Sequence, residues 1–302
     1  LLRVNRYSRT RIAPTPSGFL HLGNILSFTL TAALAKQSGA RIMLRIDDLD
    51  RERANQRYIE DIFDTLNFLQ IPWHEGPRNP REQEENYSQL RRMELYNALL
   101  QQLRAEGMLF ACSCSRSEIL QANPDGSYTG DCLDKKLSLD AEGVSWRLRT
   151  DLIQEVAIKT GHGIVHTALP ATMRYFVVRK KDGIPSYQLA SLADDLHFGV
   201  DLIVRGNDLW PSTIAQHFLA ELLAAAPFSD AVFYHHPLLT EAGGRKLSKS
   251  AGDRSIQYFR SRGGRPETVY SAIARAAGKE VVVKNWEALA EALNTVEGYR
   301  LL

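Results

Sequence analysis

The hydrophobic pattern at the start of the chain predicts a strand, a helix and a second strand in succession. Residues 10–13 form a short run typical of a strand, residues 24–38 an apolar segment of helical length, and residues 41–46 a second short run with an apolar centre. Gly39 follows the helical segment, where helices commonly end in a left-handed residue. The Ile-Met-Leu centre of the second run is typical of a strand covered on both faces, so the pattern predicts a parallel βαβ unit.

Farther along, the pattern predicts a longer series of helices and strands. Ile59, Ile62, Phe63 and Leu66 recur at three- and four-residue spacing, which predicts a buried helix face. The further predicted elements are helices at residues 54–69, 87–106, 187–198 and 212–225, and strands at residues 144–149, 175–180, 201–205 and 231–234. After residue 252 the pattern predicts helices alone, at residues 255–262, 266–277 and 285–293.

Together these elements predict an α/β fold, in which a Rossmann-like parallel sheet is interrupted by an insertion and followed by a small helical domain. We expect the first half of the sheet domain at residues 1–111 and the insertion at residues 112–173. The second half of the sheet domain is expected at residues 174–252 and the helical domain at residues 253–302.

Composition places the chain among ordinary globular proteins. Hydrophobic residues make up 44% and charged residues 24% of 302 positions, and no apolar stretch is long enough to span a bilayer. We therefore expect no membrane association and a cytoplasmic location. The net charge of +2 does not decide for or against an RNA partner, but residues 245–302 carry 11 basic and 6 acidic residues. This basic end is suited to phosphates, although a solvated charged surface explains it equally well.

The loop between the first strand and the first helix is the first candidate for chemistry. It runs from Arg11 to Asn24 and contains two prolines, which stiffen it, and two glycines, which allow a close approach of the backbone. His21 and Gly23 stand where the helix begins, and a helix start favours an anion such as a triphosphate. The simpler interpretation is a turn in which Asn24 caps the helix.

A second candidate loop lies far downstream, between the glycine pair Gly243-Gly244 and the single Gly252. It holds Lys246, Ser248 and Lys249 on a segment whose glycines allow closure. Lysine ammonium groups suit a step in which negative charge builds up on phosphate oxygens. A flexible basic surface loop is the alternative interpretation.

The three cysteines cluster in the predicted insertion and indicate a metal site. Cys112, Cys114 and Cys132 supply three ligands, whereas structural zinc takes four. From the residue types alone, the fourth ligand is open among Asp131, His162, His166 and a water molecule, and reduced buried thiols remain an alternative to any metal.

Taken together, the two loops resemble the signatures of class I aminoacyl-tRNA synthetases. The H-I-G-H motif of that family corresponds to His21-Leu22-Gly23-Asn24, and its K-M-S-K-S motif to Lys246-Leu247-Ser248-Lys249-Ser250. The resemblance implies activation of an amino acid by ATP with Mg²⁺. The residues that it assigns to catalysis and ATP binding are His21, Gly23, Asn24, Lys246, Ser248 and Lys249.

Within that class, the segment R-I-A-P-T-P-S-G resembles the glutamyl branch, which implies L-glutamate as the amino acid. The glutamate-binding residues implied by this resemblance are Arg11, Ile12, Ala13, Pro14, Thr15, Asp47, Tyr187 and Arg205. Two arginines suit a dicarboxylic substrate, because guanidinium pairs bidentately with carboxylate. Asp47 departs from the branch, which usually has Glu at this position, so the contact with the α-ammonium group must reach further or use a water molecule.

The cysteine spacing resembles the glutamyl-queuosine tRNA(Asp) synthetase branch, whose C-x-C…Y-x-x-x-C site binds one structural zinc. That resemblance implies Tyr128 as the fourth ligand beside Cys112, Cys114 and Cys132. About fifty residues follow Gly252, too few for an anticodon-binding region, which favours this branch and a tRNA(Asp) carrying queuosine as the acceptor. The alternatives are a minimal glutamyl-tRNA synthetase acting on an acceptor end and a catalytically silent paralogue that binds RNA or protein. We expect a monomer.

Overall fold

Strands and helices alternate along most of the computed structural model, which describes residues 6–239 and 255–299. The strands are β1 (Arg9–Ile12), β2 (Arg41–Leu44), β3 (Leu109–Cys112), β4 (Ser145–Leu148), β5 (Val156–Thr160), β6 (Gly163–Thr167), β7 (Val177–Arg179), β8 (Leu202–Gly206) and β9 (Val232–His236). The helices are α1 (Leu22–Ser38), α2 (Gln56–Phe68), α3 (Pro80–Glu82), α4 (Met93–Ala105), α5 (Arg116–Ala122), α6 (Tyr187–His197), α7 (Trp210–Leu222), α8 (Ala226–Asp230), α9 (Ile256–Ser261), α10 (Pro266–Ala276) and α11 (Trp286–Leu293).

The chain divides into two compact units, each built from separate stretches of sequence. The first unit takes its described residues from Leu1–Arg91, Asp201–Asp208 and Phe233–Leu302, and the second comprises Arg92–Val200 and Leu209–Val232. The division of the chain into four segments, as expected above, stays a prediction.

A sheet with the strand order β2-β1-β8-β9 runs through the first unit. β1 pairs in parallel with β2 from Arg9 to Ile12 and with β8 through Thr10. α1 connects β1 to β2, and Gly39 ends it with a φ of 81° while its N–H donates to the Ala35 carbonyl at 2.9 Å. The βαβ unit predicted from the sequence is therefore confirmed.

The core of the first unit includes helices from both ends of the chain. All four apolar residues predicted for the buried face of α2 are buried, at 4% exposure or less. α10 and α11 pack against α1, with Ile273, Leu289 and Leu293 completely buried. The Tyr270 hydroxyl donates to the Leu69 carbonyl at 2.6 Å, which ties α10 to the end of α2.

The second unit contains a three-stranded antiparallel sheet, β3-β4-β7, and a β5–β6 hairpin. A buried ion pair joins α6 to the start of α4, where Arg92 donates to both Asp194 oxygens at 2.6 and 3.0 Å. The Tyr96 hydroxyl donates to the same carboxylate at 2.7 Å, and burial together with Asp194 raises the pKa of Tyr96. Removing one member of such a buried pair would leave an uncompensated charge, so this network holds the two helices together.

The sequence pattern missed α3, β3, α5, the β5–β6 hairpin and α8. β3 is only four residues long and fully buried, and β6 is exposed along most of its length, so neither shows the alternation of a half-buried strand. The predicted helix at 87–106 is also wrong in its first part, because a π turn at Gln83–Tyr87 and a 3₁₀ turn at Gln89–Arg92 precede α4. Asp48 accepts the Gln89 N–H at 2.8 Å, which removes that donor from a continuous helix.

A search for membrane-spanning helices over residues 6–239 and 255–299 found none with the required length and apolar character.

Candidate active site and metal centre

The loop between β1 and α1 brings His21, Gly23 and Asn24 together at the start of α1. The Gly23 N–H donates to His21 Nδ1 at 3.1 Å, and the His21 N–H donates to Asn24 Oδ1 at 3.0 Å. This reciprocal capping starts the helix at Leu22, two residues earlier than predicted, with His21 as the N-cap residue. Capping by Asn24, the simpler interpretation of this loop, is therefore present, and the helix start remains a favourable place for an anion.

Gly23 is required by the position of the His21 ring. A Cβ at residue 23 would lie 3.0 Å from His21 Cε1 and 3.1 Å from Nδ1, closer than side chains normally approach. We predict that Gly23→Ala turns the imidazole out of its capping position and lowers kcat/KM for ATP–pyrophosphate exchange by about 10- to 100-fold. Thermal unfolding should change little, because alanine is favourable in a helix.

Gly18→Ala is the matched control for this prediction, since a Cβ at residue 18 of the same loop meets no atom within 4 Å. The Gly18 variant should keep the exchange rate of the unmodified chain. Equal activity of the Gly18 and Gly23 variants would show that the ring position has no part in catalysis.

Arg11 and Arg205 are two buried arginines of the first unit, near the carboxyl ends of the neighbouring strands β1 and β8. Their exposed fractions are 5% and 3%. Arg11 Nη1 donates to the Val204 carbonyl at 3.3 Å, and the Arg205 guanidinium lies 5.5 Å from the centre of the Phe233 ring. Ligands of open parallel sheets bind at this edge, so the two charges lie where a negatively charged substrate would be held.

The other residues expected to bind glutamate in this unit are Ile12, Ala13, Pro14, Thr15 and Asp47. Residues 12–14 run beside the segment after β2, because the Ile12 carbonyl accepts the Arg45 N–H and the Pro14 carbonyl accepts the Asp47 N–H, both at 2.9 Å. Ile12 and Pro14 are buried, Ala13 is half-buried and Thr15 is exposed. Backbone hydrogen bonds thus place Asp47 next to this loop.

The Asp47 carboxylate forms a bidentate ion pair with Arg45. Arg45 Nε and Nη2 donate to the two carboxylate oxygens at 2.7 and 3.1 Å, and both side chains are buried. A carboxylate accepts about four hydrogen bonds, so this pair orients Asp47 without using all its lone pairs. Contact between Asp47 and a substrate ammonium group stays a prediction.

His235, at the end of β9, was missed by the sequence analysis. Its Nδ1 lies 3.2 Å from the Gly206 carbonyl, an acceptor, so Nδ1 carries the proton and Nε2 is left as an acceptor. Burial lowers the pKa of His235 to about 3, with further lowering by the charges of Arg205 and Arg11. The His235 imidazole is therefore uncharged at neutral pH, close enough to Arg205 and Arg11 for their charges to lower its pKa.

The neighbouring His236 links β9 to the first turns of α1. Its Nδ1 lies 2.8 Å from the Pro237 carbonyl and its Nε2 lies 2.7 Å from the Ser27 hydroxyl, so Ser27 donates to an unprotonated Nε2. Burial lowers the pKa of His236, which keeps this arrangement neutral. The only signal in the sequence was two adjacent histidines after a predicted strand, and it matches no motif considered above.

Four residues that the sequence analysis assigned to the active site are not among the described residues of the first unit. Lys246, Ser248 and Lys249 lie outside the described residues. Tyr187 belongs to the second unit, where it is the first residue of α6 and 41% exposed.

The three cysteines of the second unit form one group. The sulfur atoms of Cys112, Cys114 and Cys132 all lie within 4.8 Å of one another, and two of the three side chains are buried. The Tyr128 hydroxyl lies 3.4 Å from Cys112 Sγ and accepts the Cys132 N–H at 2.9 Å. Three thiols and a phenol converging in this way fit the four-ligand demand of zinc.

The alternative fourth ligands are not brought to this group. Over the described parts of the chain, no histidine or carboxylate joins the three sulfur atoms, so Asp131, His162 and His166 stay apart from them. Asp131 instead accepts the Thr129 hydroxyl at 2.7 Å. The remaining choice lies between Tyr128 and water.

The electrostatics of the cysteine group favour one thiolate over its neighbours. Burial works to raise the pKa of Cys132, but hydrogen bonds from Tyr128, the Ser113 backbone and the other thiols lower it to about 6. Burial and the neighbouring cysteines raise the pKa of Cys114 to about 11. Arg147 stacks on Tyr128 with its guanidinium carbon 3.8 Å from the ring centre, which adds a positive charge beside the proposed ligands.

Comparison with known proteins connects this geometry to one family. Residues 8–290 match the family described as "tRNA synthetases class I (E and Q), catalytic domain". The chain is 35% identical over 281 residues to the glutamyl-Q tRNA(Asp) synthetase of Symbiobacterium thermophilum, which covers 89% of this chain and 86% of that protein. It is 32% identical to the protein of the same name from Rhodobacter capsulatus, covering 86% of this chain and 97% of that one.

Longer proteins are similar over only part of their length. The glutamate–tRNA ligase of Anaeromyxobacter sp. (strain K) is 32% identical over 88% of this chain, which spans 57% of that protein. The structure of the glutamate-tRNA synthetase from Elizabethkingia anophelis matches with a TM-score of 0.74 at 22% identity, over 94% of this chain and 65% of its own. At that identity the likeness shows the fold.

Proposed function

Because the chain belongs to the catalytic-domain family of the class I glutamyl- and glutaminyl-tRNA synthetases, we propose that it activates L-glutamate with ATP and transfers it to queuosine in tRNA(Asp). The family makes the chain a ligase of the aminoacyl-tRNA synthetase type. Glutamate, the two-step reaction and the queuosine acceptor are our proposal, and the names of the relatives in Symbiobacterium and Rhodobacter support it.

The paired arginines Arg11 and Arg205 are the observation that carries the choice of glutamate. Two guanidinium groups are buried at one edge of one sheet, at the carboxyl ends of parallel strands where such sheets bind their ligands. A dicarboxylic amino acid offers a side-chain carboxylate for bidentate pairing in addition to the carboxylate that reacts. Glutamine would lose that charge, so the pocket favours glutamate.

In the activation step, an oxygen of the glutamate α-carboxylate bonds to the α-phosphorus of ATP. The bond between that phosphorus and the bridging oxygen of pyrophosphate breaks, which gives glutamyl-adenylate and pyrophosphate. No protein nucleophile is needed, so catalysis rests on positioning and on charge stabilisation. We assign the nucleotide to His21, Gly23 and Asn24 at the start of α1, with Mg²⁺ accompanying ATP.

In the transfer step, a hydroxyl of the queuosine ring attacks the acyl carbon of the adenylate, and AMP leaves. Lys246, Ser248 and Lys249 are proposed to stabilise the phosphates in the first step. The assignment of Tyr187 to glutamate binding stays a prediction. Cys112, Cys114, Tyr128 and Cys132 would hold one zinc, whose contribution is to fold the second unit locally.

ATP–pyrophosphate exchange without RNA tests the activation step. Exchange should appear with glutamate and not with glutamine or aspartate when the twenty amino acids are compared. Absence of exchange with every amino acid would leave the silent paralogue as the better hypothesis.

The acceptor is tested separately, with tRNA(Asp) that carries queuosine and tRNA(Asp) that lacks it. Stable attachment of labelled glutamate should require the modified base. Equal attachment to both RNAs, or attachment to tRNA(Glu), would instead identify a minimal glutamyl-tRNA synthetase.

A further inference from the structure

Beside the His21 loop, the first unit carries arginines laid over tyrosine rings on two neighbouring elements. The first group is Phe19, Arg57 and Tyr58, and the second is Tyr258 with Arg262. We call these five residues the arginine–tyrosine platform. We propose that the platform binds unpaired RNA bases by stacking, an inference that rests on the proposed function because it identifies where the RNA substrate is held.

The first group joins the β1–α1 loop to the start of α2. The Arg57 guanidinium carbon lies 4.6 Å from the centre of the Tyr58 ring and 5.7 Å from that of Phe19. Arg57 Nη2 donates to the Tyr58 hydroxyl at 2.6 Å, and Phe19 meets Tyr58 edge to face with ring centres 4.9 Å apart. These contacts hold a guanidinium plane and two half-buried rings in fixed positions at the surface.

The second group lies on and just after α9, which is attached to the same loop. The Ile256 N–H donates to the Leu20 carbonyl at 2.8 Å, next to His21. Farther along α9, Arg260 pairs with Asp61 and Asp64 of α2, each at 3.0 Å. The Arg262 guanidinium carbon lies 4.5 Å from the centre of the Tyr258 ring. Both groups are therefore tied to the loop that presents His21.

Arg57 and Arg262 differ from the nearby exposed arginines in their ion pairing. Nearby exposed arginines have acidic partners, as Arg51 has in Glu84 and Arg53 in Asp50. In contrast, Arg57 and Arg262 make no ion pair with a carboxylate within the described stretches. Their charges remain available to a phosphate, and each guanidinium carbon lies within 4.6 Å of a tyrosine ring centre.

Single-stranded RNA is the partner that this chemistry fits. Unpaired bases stack on aromatic rings and on guanidinium planes, and arginine adds attraction to the backbone phosphates. The acceptor hydroxyl must reach the adenylate formed at the His21 loop, so a base-binding surface attached to that loop would bring an RNA loop to the reacting atoms. A paired helix hides its base faces and would gain little from these residues.

The test measures fluorescence anisotropy of a stem-loop RNA that copies the anticodon arm of tRNA(Asp), with the full chain, four platform variants and one control variant. We expect Arg57→Gln and Tyr258→Ala to weaken binding by about tenfold each, because stacking on one aromatic group contributes on that scale. Tyr258→Phe keeps the ring and should bind normally, whereas Arg57→Lys keeps the charge without the plane and should fall in between.

Arg81→Gln is the matched control, since Arg81 is an arginine of the same unit whose side chain is 83% exposed and paired with Glu85. It should bind the stem-loop as the unmodified chain does. A fully paired RNA of the same length should not distinguish Tyr258→Ala from Tyr258→Phe.

Unchanged binding by both Arg57→Gln and Tyr258→Ala would overturn the proposal, as would an equal loss in Arg81→Gln. Glutamate-dependent exchange without RNA is measured on the same preparations. If the unmodified chain shows no exchange, the proposed function fails while the binding data still decide the platform. Normal exchange with unaltered binding in the variants removes the platform alone.

Discussion

An Arg205→Gln protein is expected to lose glutamate activation while it keeps its fold. Arg205 is 3% exposed at the sheet edge, so its guanidinium would meet the substrate carboxylate with little screening by water. Loss of one partner of such a desolvated charge pair costs about 2–5 kcal/mol, which corresponds to a fall in kcat/KM of roughly 30- to 5,000-fold. The loss should appear mainly in the KM for glutamate, measured by ATP–pyrophosphate exchange, and much less in the KM for ATP.

His235 provides a second readout of the same substitution. Burial is the main cause of its low pKa of about 3, and the Arg205 charge adds to it. Removal of that charge should raise the pKa, followed by NMR of the imidazole, while burial keeps it below the ordinary value of 6.5.

Arg275→Gln is the control for Arg205, because Arg275 lies on α10 of the same unit with 69% of its side chain exposed. That variant should keep both KM values. A glutamate KM within twofold of normal in the Arg205 variant would remove Arg205 from the pocket and leave the choice of amino acid open.

If the cysteine group binds zinc as proposed, a Cys132→Ser protein is expected to lose the zinc and much of the stability of the second unit. Cys132 lies in a group of three sulfur atoms, and its replacement leaves two thiols, too few to hold zinc tightly. Metal analysis should give one zinc per unmodified chain and far less in the variant. The free energy of unfolding should fall by several kcal/mol, on the order of 3–5, because structural zinc contributes its binding energy to folding.

Two further variants make this result specific. Ser113→Ala changes an exposed residue between two of the cysteines and should retain both zinc and stability. Tyr128→Phe tests the fourth ligand and should lower zinc affinity by about tenfold or more if the phenol binds the metal, but not if water does. Full zinc in purified Cys132→Ser would refute the ligand set.

The helices and strands at the start of the first unit were predicted well, because each of them buries either one face or both faces. The β1–α1–β2 unit, the buried positions of α2 and the glycine end of α1 were all found from apolar periodicity and one glycine. The exact start of α1 was not, because a histidine is an unusual N-cap residue and its Nδ1 atom had to be seen accepting the Gly23 N–H.

Sequence reasoning was weaker where tertiary contacts override local preference. The segment before α4 is drawn out of a regular helix by Asp48, more than thirty residues earlier in the chain, and no local pattern reports such a bond. The two strands of the β5–β6 hairpin and the helix α8 are each five residues long, too short for the spacing of their apolar residues to tell a strand from a helix.

For the candidate sites too, residues that lie close together in the sequence were predicted, whereas residues that only the fold brings together were not. The cysteine group could be predicted because two of its members are separated by a single residue and the third is close in sequence. His235 could not, since its link to Gly206, Arg205 and Arg11 depends on strands that are far apart in the chain.

The packing of α10 and α11 against α1 limits how this protein can be shortened or recombined. Those two helices contribute Ile273, Leu289 and Leu293 to the same interior as the helix that His21 begins. A fragment ending before Pro266 would leave apolar residues of α1 exposed, on the helix whose start is the proposed nucleotide site. Protein engineering or gene fusion could therefore not replace α10 and α11 without disturbing the core of the first unit. A fusion protein that contains the first unit would need to include α10 and α11.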